Sequence, residues 1–355
     1  MKDETGIRVA VIGAGGYGGV GAIELLLRHP YTRIVRVVSL TEVGKPLSAI
    51  YPHLAGYCDL PITSLEDPAV CDNLDIALFS TPDGVGQKHA ARFIEKGVKV
   101  IDYSGDFRFS SENHFAAYST RIGKPADHDA PALLSRTVYG IPELHRNAIA
   151  QSKLVGNPGC FAIACILGLA PAVQRSLIDP ESIICDCKSG VSGAGKKPAP
   201  GFHYPARYDS FNAYKVAGHQ HVYEVERELS RLAGKEVTIT FTPHVAPMTR
   251  GILATIYAGT RVTCVDSLVE SYQDFYKNEK FVRILPPSAA PSTSDVRGSN
   301  YVNIWINLDT RTKKAIIVSH IDNLMKGQAG NAIQNLNIMM GLPETAGLDF
   351  PGQYP

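Results

Sequence analysis

The chain has 355 residues, 45% apolar and 19% charged, with a formal net charge of +1. That length suits two domains, and the near-neutral charge lacks the field expected of a nucleic-acid binder, a membrane-surface protein or the partner of a strongly acidic molecule. No run of about 18 apolar residues occurs, and the opening MKDETGIRVAVIG holds no apolar signal core, so a soluble, cytoplasmic protein is expected.

The first third alternates strand and helix. IRVAVIG (7–13) reads as a buried strand, GAIELLLRHP (21–30) as a helix ended by His-Pro, and IVRVVSL (34–40) as the second strand. LDIALFSTPDG (74–84), the helix VGQKHAARFIEKG and VKVIDYSGDFR (98–108) continue the series. This βαβ order predicts an α/β, Rossmann-type, doubly wound parallel sheet. From about residue 183 the strand-like runs SIICDCKSG, TITFTPHVAPM, GILATIYAGT, NYVNIWINLD and KKAIIVSHID predict an α+β domain with a mostly antiparallel sheet. The expected division is a nucleotide-binding domain of residues 1–159, completed by a last helix over 323–341, and a catalytic and dimerisation domain of residues 160–322. Residues 189–210, SGVSGAGKKPAPGFHYPARYDS, read as a long structureless loop, a feature that usually serves function.

After the first strand, Gly13, Gly15 and Gly18 fit G-x-G-x-x-G, with Gly16 and Tyr17 between them. A strand before it and a helix after it supply the setting that a dinucleotide fingerprint needs. The helix N-terminus offers N–H groups and positive dipole to a pyrophosphate. The second strand ends in Ser39-Leu40-Thr41-Glu42, with Lys45 beyond. Hydroxyls followed by a lysine suit a 2′-phosphate, so NADPH is favoured over NADH.

Seven cysteines in a chain of this length make a disulfide framework unexpected. Cys185 and Cys187 share one strand face and read as small core residues, and no metal is expected. Cys160 stands apart, because GNPGCF pins it at the first turn of a helix over 160–175. Unpaired amides and the dipole there lower a thiol's pKa. Cys165, mid-helix among apolar residues, reads as plain core. A nicotinamide cofactor with a nucleophilic cysteine implies aldehyde–acyl interconversion. That chemistry needs an acid/base near neutrality. AYKVAGHQH holds His219 and His221; His219 follows a glycine, which is expected to leave its ring accessible.

Together these segments resemble the N-acetyl-γ-glutamyl-phosphate reductase family, within the aspartate-semialdehyde dehydrogenase superfamily. The resemblance rests on GAGGYGG (13–19), YPHL (51–54), DYSGDFR (102–108), YGIPEL (139–144), NPGC (157–160), SGVSGAG (189–195), AYKVAGHQH, FTPHVAPMTRGIL (241–253) and DNLMKGQAGNAIQN (322–335), in the family's order. It implies NADPH-dependent reductive dephosphorylation of an acyl phosphate in arginine biosynthesis, through a thioester on Cys160 with His219 as acid/base. Cofactor contacts are implied for the glycine loop, Ser39, Ser80, Ser192, Gly193 and Asn323. Substrate contacts are implied for Arg108, Asn157 and Arg250, and the assembly expected is a homo-oligomer, dimer or tetramer. The chain departs from many relatives in having Phe161-Ala162-Ile163 after Cys160 and Val222-Tyr223 before Glu224.

Three rival readings remain open at this level. A sister reductase would take aspartyl phosphate, or aminoadipyl phosphate on an acidic carrier protein that Lys196, Lys197 and Arg207 would meet. A nucleotide-binding sensor would keep the glycine loop but has no use for Cys160 and His219. The same chemistry run towards the acyl phosphate needs the same residues.

Overall fold

The computed structural model describes residues 6–354, which form two compact units. The first runs to Pro158 and takes in Gln328–Asp349; the second holds Gly159–Gly327 and the residues from Phe350 onward.

In the first unit the strands are β1 (Ile7–Ile12), β2 (Thr32–Val38), β3 (Ile62–Thr63), β4 (Ile76–Phe79), β5 (Lys99–Asp102), β6 (Val138–Tyr139) and β7 (Leu154–Gly156). They form one sheet in the order β3-β2-β1-β4-β5-β7-β6, with every pairing parallel. All four residues of β4 are buried, as are the last four of β1. A strand covered on both faces needs such a continuous apolar run. The helices are α1 (Tyr17–Arg28), α2 (Gly86–Glu95), α3 (Glu112–Arg121), α4 (Pro131–Leu134) and α5 (Pro142–Gln151).

The second unit opens with α6 (Cys160–Gln174), followed by β8 (Ile184–Ser189), α7 (Tyr204–Arg207), β9 (Asn212–Ala213), α8 (His221–Ala233), β10 (Thr240–Val245), β11 (Ile252–Gly259), α9 (Val265–Phe275), β12 (Val282–Ile284), β13 (Val302–Asp309) and β14 (Lys314–Ile321). Its sheet runs β12-β13-β14-β11-β8-β10-β9. The β12/β13 and β8/β10 pairs are parallel and the rest antiparallel. The sheet is thus mixed and mostly antiparallel. In α6 every residue from Phe161 to Val173 is buried, so this helix is core on all sides. It packs against α8, α9, β11 and β14.

Three expectations change. Helix α1 starts at Tyr17, four residues before the expected Gly21. Glycine is a poor helix former, but a Cβ at Gly19 would overlap Gly13 O and stand 2.8 Å from Ala14 Cα. Tertiary closeness therefore demands the residue that propensity disfavours. The last helix is also divided: a π-helical turn, Met325–Ala329, precedes α10 (Gly330–Met339). Asn323 and the start of that turn lie in the second unit, and the chain returns to the first at Gln328. Finally, residues 189–210 are not structureless. They hold short turns at Val191–Ala194 and Pro200–Phe202 besides α7. Arg207 ties them, donating to Gly201 O, Ser210 O and the Asn212 side chain.

On β14, His320 is fully buried, and Asp295 at 3.6 Å lies beyond hydrogen-bond reach. Burial holds its ring down to about 4. The unfolded chain therefore takes the proton first, so this contribution is complete above about pH 6.5 and lost as the pH falls towards 4. Urea unfolding should lose up to about 3 kcal/mol from this group over that window. A His320→Gln variant, with nothing to titrate, should show a correspondingly flatter acid limb.

Candidate active site

The glycine loop belongs to the first unit. Gly13 has φ +85° and is so close to Ser80 O that any side chain would overlap it. Gly13 N and Ala14 N donate to Val38 O at 2.8 and 3.0 Å, pinning the loop to the end of β2. A Cβ at Gly15 would stand 3.2 Å from Ser39 Oγ, and one at Gly18 would stand 2.5 Å from Ser80 Oγ and 2.7 Å from Gln328 Nε2. Ser39 and Ser80 thus converge on the loop from two strand ends. Gly16 caps α1 with no side-chain bond, and the first turn, starting at Tyr17, carries no acidic residue. Its amides and dipole are left to an anion, so the cradle fits a dinucleotide pyrophosphate. Lys45, expected to face a 2′-phosphate, pairs with Glu42 at 2.5 Å, and both are largely exposed.

In DYSGDFR, Asp102 and Asp106 are buried. Asp106 accepts from Gly84 N and Gln87 N, holding the start of α2. Burial, with Asp106 beside it, pushes the Asp102 carboxyl well above the usual carboxylate range. The Asp102 carbonyl accepts from Asn157 N at 2.7 Å. Arg108 is buried, with Nε on Asn157 O at 2.9 Å and Nη2 on Tyr103 O at 2.6 Å. Asn157 is also buried, its Nδ2 on Gln328 O and its Oδ1 accepting from Asn331 and Asn335. Both residues hold the turn that leads from β7 towards Cys160.

Cys160 is the first residue of α6 and is partly exposed, whereas Cys165 in the same helix is fully buried. Cys165 Sγ lies 3.6 Å from Cys187 Sγ in the core. Gly159 N donates to Glu224 Oε2 at 2.9 Å, so a buried carboxylate from α8 caps α6. The His221 ring lies against Gly159, where a Cβ would overlap it.

His219 and His221 lie together, ring centroids 4.6 Å apart and edge to face. The Phe161 ring, next to Cys160, meets His219 at 5.4 Å and His221 at 6.1 Å. The His219 ring is not accessible as expected: it is 3% exposed, packed by Phe161, Tyr214 and Phe241. Its Nδ1 accepts from His221 N at 3.2 Å, which assigns the proton of the neutral ring to Nε2. Burial, with Cys160 among its neighbours, pushes the Tyr214 phenol up, leaving a protonated hydroxyl in this cluster.

Also in the second unit, Asn323 Nδ2 donates to Ser192 Oγ at 2.9 Å and its Oδ1 accepts from Gly251 N at 2.7 Å. A Cβ at Gly193 would lie 3.7 Å from the Asn323 amide. These three expected cofactor residues are therefore neighbours. Arg250 keeps 30% of its side chain exposed and pairs with buried Asp322 at 3.0 Å. Reasoning from sequence missed Tyr51, whose hydroxyl donates to Gly15 O at 3.0 Å, and also Tyr214, Glu224 and Asp322. Tyr51 sits in the YPHL segment and Glu224 in the first turn of α8; both positions were legible, their partners were not.

Residues 8–152 match the family described as semialdehyde dehydrogenase, NAD binding domain, and residues 160–323 that described as semialdehyde dehydrogenase, dimerisation domain. A reductase of Desulforudis audaxviator named N-acetyl-gamma-glutamyl-phosphate reductase is 44% identical over 98% of this chain and 100% of its own length. The chain belongs to the N-acetyl-gamma-glutamyl-phosphate reductase family. A second member, from Geobacter metallireducens, is 46% identical over 98% of this chain and 100% of its own length. Among solved structures, aspartate semialdehyde dehydrogenase II of Vibrio cholerae matches with a TM-score of 0.71 at 19% identity, covering 95% of this chain and 98% of that one. An aspartate semialdehyde dehydrogenase with NADP from Candida albicans matches at 0.69 and 14% identity, covering 94% and 98%. At such identities these two establish the fold alone. Within this family the chain is an oxidoreductase with a nicotinamide-nucleotide-binding domain. Among the described residues no helix is long and apolar enough to cross a membrane.

Proposed function

We propose that this chain reduces N-acetylglutamyl 5-phosphate to N-acetylglutamate 5-semialdehyde and phosphate with NADPH, as a cytoplasmic homo-oligomer in arginine biosynthesis. The observation that carries the chemistry is one partly exposed cysteine opening a buried helix, with the His221 ring against Gly159 before it and both histidine rings against Phe161 after it. The choice of acyl group rests on the name that the whole-length relatives share.

Cys160 attacks the acyl carbon as a thiolate, favoured by the helix dipole. Phosphate leaves, and a thioester remains on the sulfur. When bound, the nicotinamide supplies the hydride that reduces this thioester. His219 donates the Nε2 proton to the developing hemithioacetal oxygen and takes it back as that adduct collapses to aldehyde and the Cys160 thiolate. Arg250 is the better candidate for a substrate anion, since its fork remains partly exposed while Arg108 is committed to two carbonyls. The glycine loop, Ser39 and Ser80 of the first unit are assigned to the nucleotide, as are Ser192, Gly193 and Asn323 of the second. Preference for NADP is supported by the hydroxyls at the end of β2.

The test is the reverse reaction on purified protein, followed by absorbance of the reduced cofactor. N-acetylglutamate semialdehyde, phosphate and NADP⁺ together should give turnover. Omitting phosphate or supplying NAD⁺ should cut the rate at least about tenfold, a loss equal to 1.4 kcal/mol. Faster turnover of aspartate semialdehyde would assign the chain to a sister activity, and nucleotide binding with no turnover would make it a sensor.

A further inference from the structure

The nucleophile's surroundings hold one feature that the proposed chemistry does not yet use. Gly327, in the π-helical turn Met325–Ala329, lies directly on Cys160: a Cβ there would stand 2.8 Å from Cys160 Cβ and 3.4 Å from its Cα. Gly327 N donates to Asp322 O at 2.9 Å. The Asp322 carboxylate is fully buried, accepts from Leu324 N at 2.8 Å and Met325 N at 3.1 Å, and thereby caps this turn. Its second oxygen accepts from Gly298 N at 2.7 Å and pairs with Arg250. Single π-turns are rare and cluster at functional sites, because the inserted residue redirects the backbone.

We infer that Asp322 and Gly327 are positioning residues for Cys160: the capped π-turn is a backbone clamp that fixes the cysteine at the mouth of α6. This rests on the reading of Cys160 as nucleophile. On one side Gly159 is held by Glu224 and covered by His221. On the other, Gly327 covers Cβ, and only a residue without a side chain fits. With Cα and Cβ packed against Gly327, the start of the side chain is fixed at the first turn of α6 without bound substrate. The Arg250–Asp322 pair joins the clamp to the arginine assigned to the substrate anion. One carboxylate therefore orders both the attacking atom and the group that holds the molecule attacked.

The experiment measures iodoacetamide alkylation of Cys160 against pH, by mass spectrometry of the intact protein, alongside steady-state kinetics and NADPH binding by fluorescence. In Gly327→Ala the pH midpoint of alkylation should rise by half a unit or more. Alkylation at pH 7 should slow by at least about fivefold, since thiolate fraction sets the rate. Turnover should fall at least about 30-fold with KM and the NADPH dissociation constant within about threefold, the pattern of a loss confined to the reacting state. Gly201→Ala, where nothing lies within 4 Å of the added methyl, is the control and should match the parent. If Gly327→Ala does not fold, Asp322→Asn decides: it should show the same upward shift of the midpoint, and a parental midpoint overturns the inference. A folded Gly327→Ala with the parental alkylation profile and turnover also overturns it. If the parent protein turns over no acyl phosphate, the functional reading fails, while the alkylation profile still tests the clamp.

Discussion

Cys160→Ala should abolish turnover, by about 10⁴-fold or more, and leave the NADPH dissociation constant within about threefold, because under the proposed mechanism the substitution removes the covalent step and no anchoring group of the nucleotide. Loss of NADPH affinity in this variant would contradict the proposal that the sulfur acts on the acyl carbon alone. Mass spectrometry supplies the complementary result. Parent enzyme given acyl phosphate without reduced cofactor should gain the mass of the acyl group on the peptide containing Cys160, and the variant should gain nothing.

His219→Asn should lower kcat by roughly 10²–10⁴, the range usual for a removed acid/base. His221→Asn should cost less than about tenfold in kcat, because the proposed mechanism leaves proton transfer with the other ring. The geometry separates the two residues. His219 has one ring nitrogen fixed by the backbone N–H of His221, which orients the other nitrogen and determines its proton. His221 lies against Gly159, and its removal opens a space beside the start of α6. The second variant should therefore lose thermal stability more than rate. A larger kcat loss in His221→Asn than in His219→Asn would exchange the two roles.

Much of this was legible in the sequence because it depends on local physics. The β-branched runs of β1 and β4, the glycines after β1 and the cysteine after Asn-Pro-Gly all declare themselves within a few residues, through periodicity and backbone sterics. They determine the two kinds of sheet, the nucleotide loop and the helix mouth. Spatial partners do not declare themselves in this way. Gly159 is capped by a glutamate 65 residues on, and Asn157 reaches a carbonyl 171 residues away. The resemblance implies substrate contacts for Arg108 and Asn157, and nothing in their motifs announces the buried backbone carbonyls and side-chain amides that they also bond. His219, expected to be accessible, is enclosed by the rings of Phe161 and Phe241, from two other stretches of chain, and of Tyr214 from its own. The sequence by itself determined which chemical groups this protein carries and which local backbone each one rides on. Only the tertiary structure decided which of those groups remain open for chemistry and which are used in holding the fold, because burial and hydrogen-bond pairing arise between residues far apart in the chain.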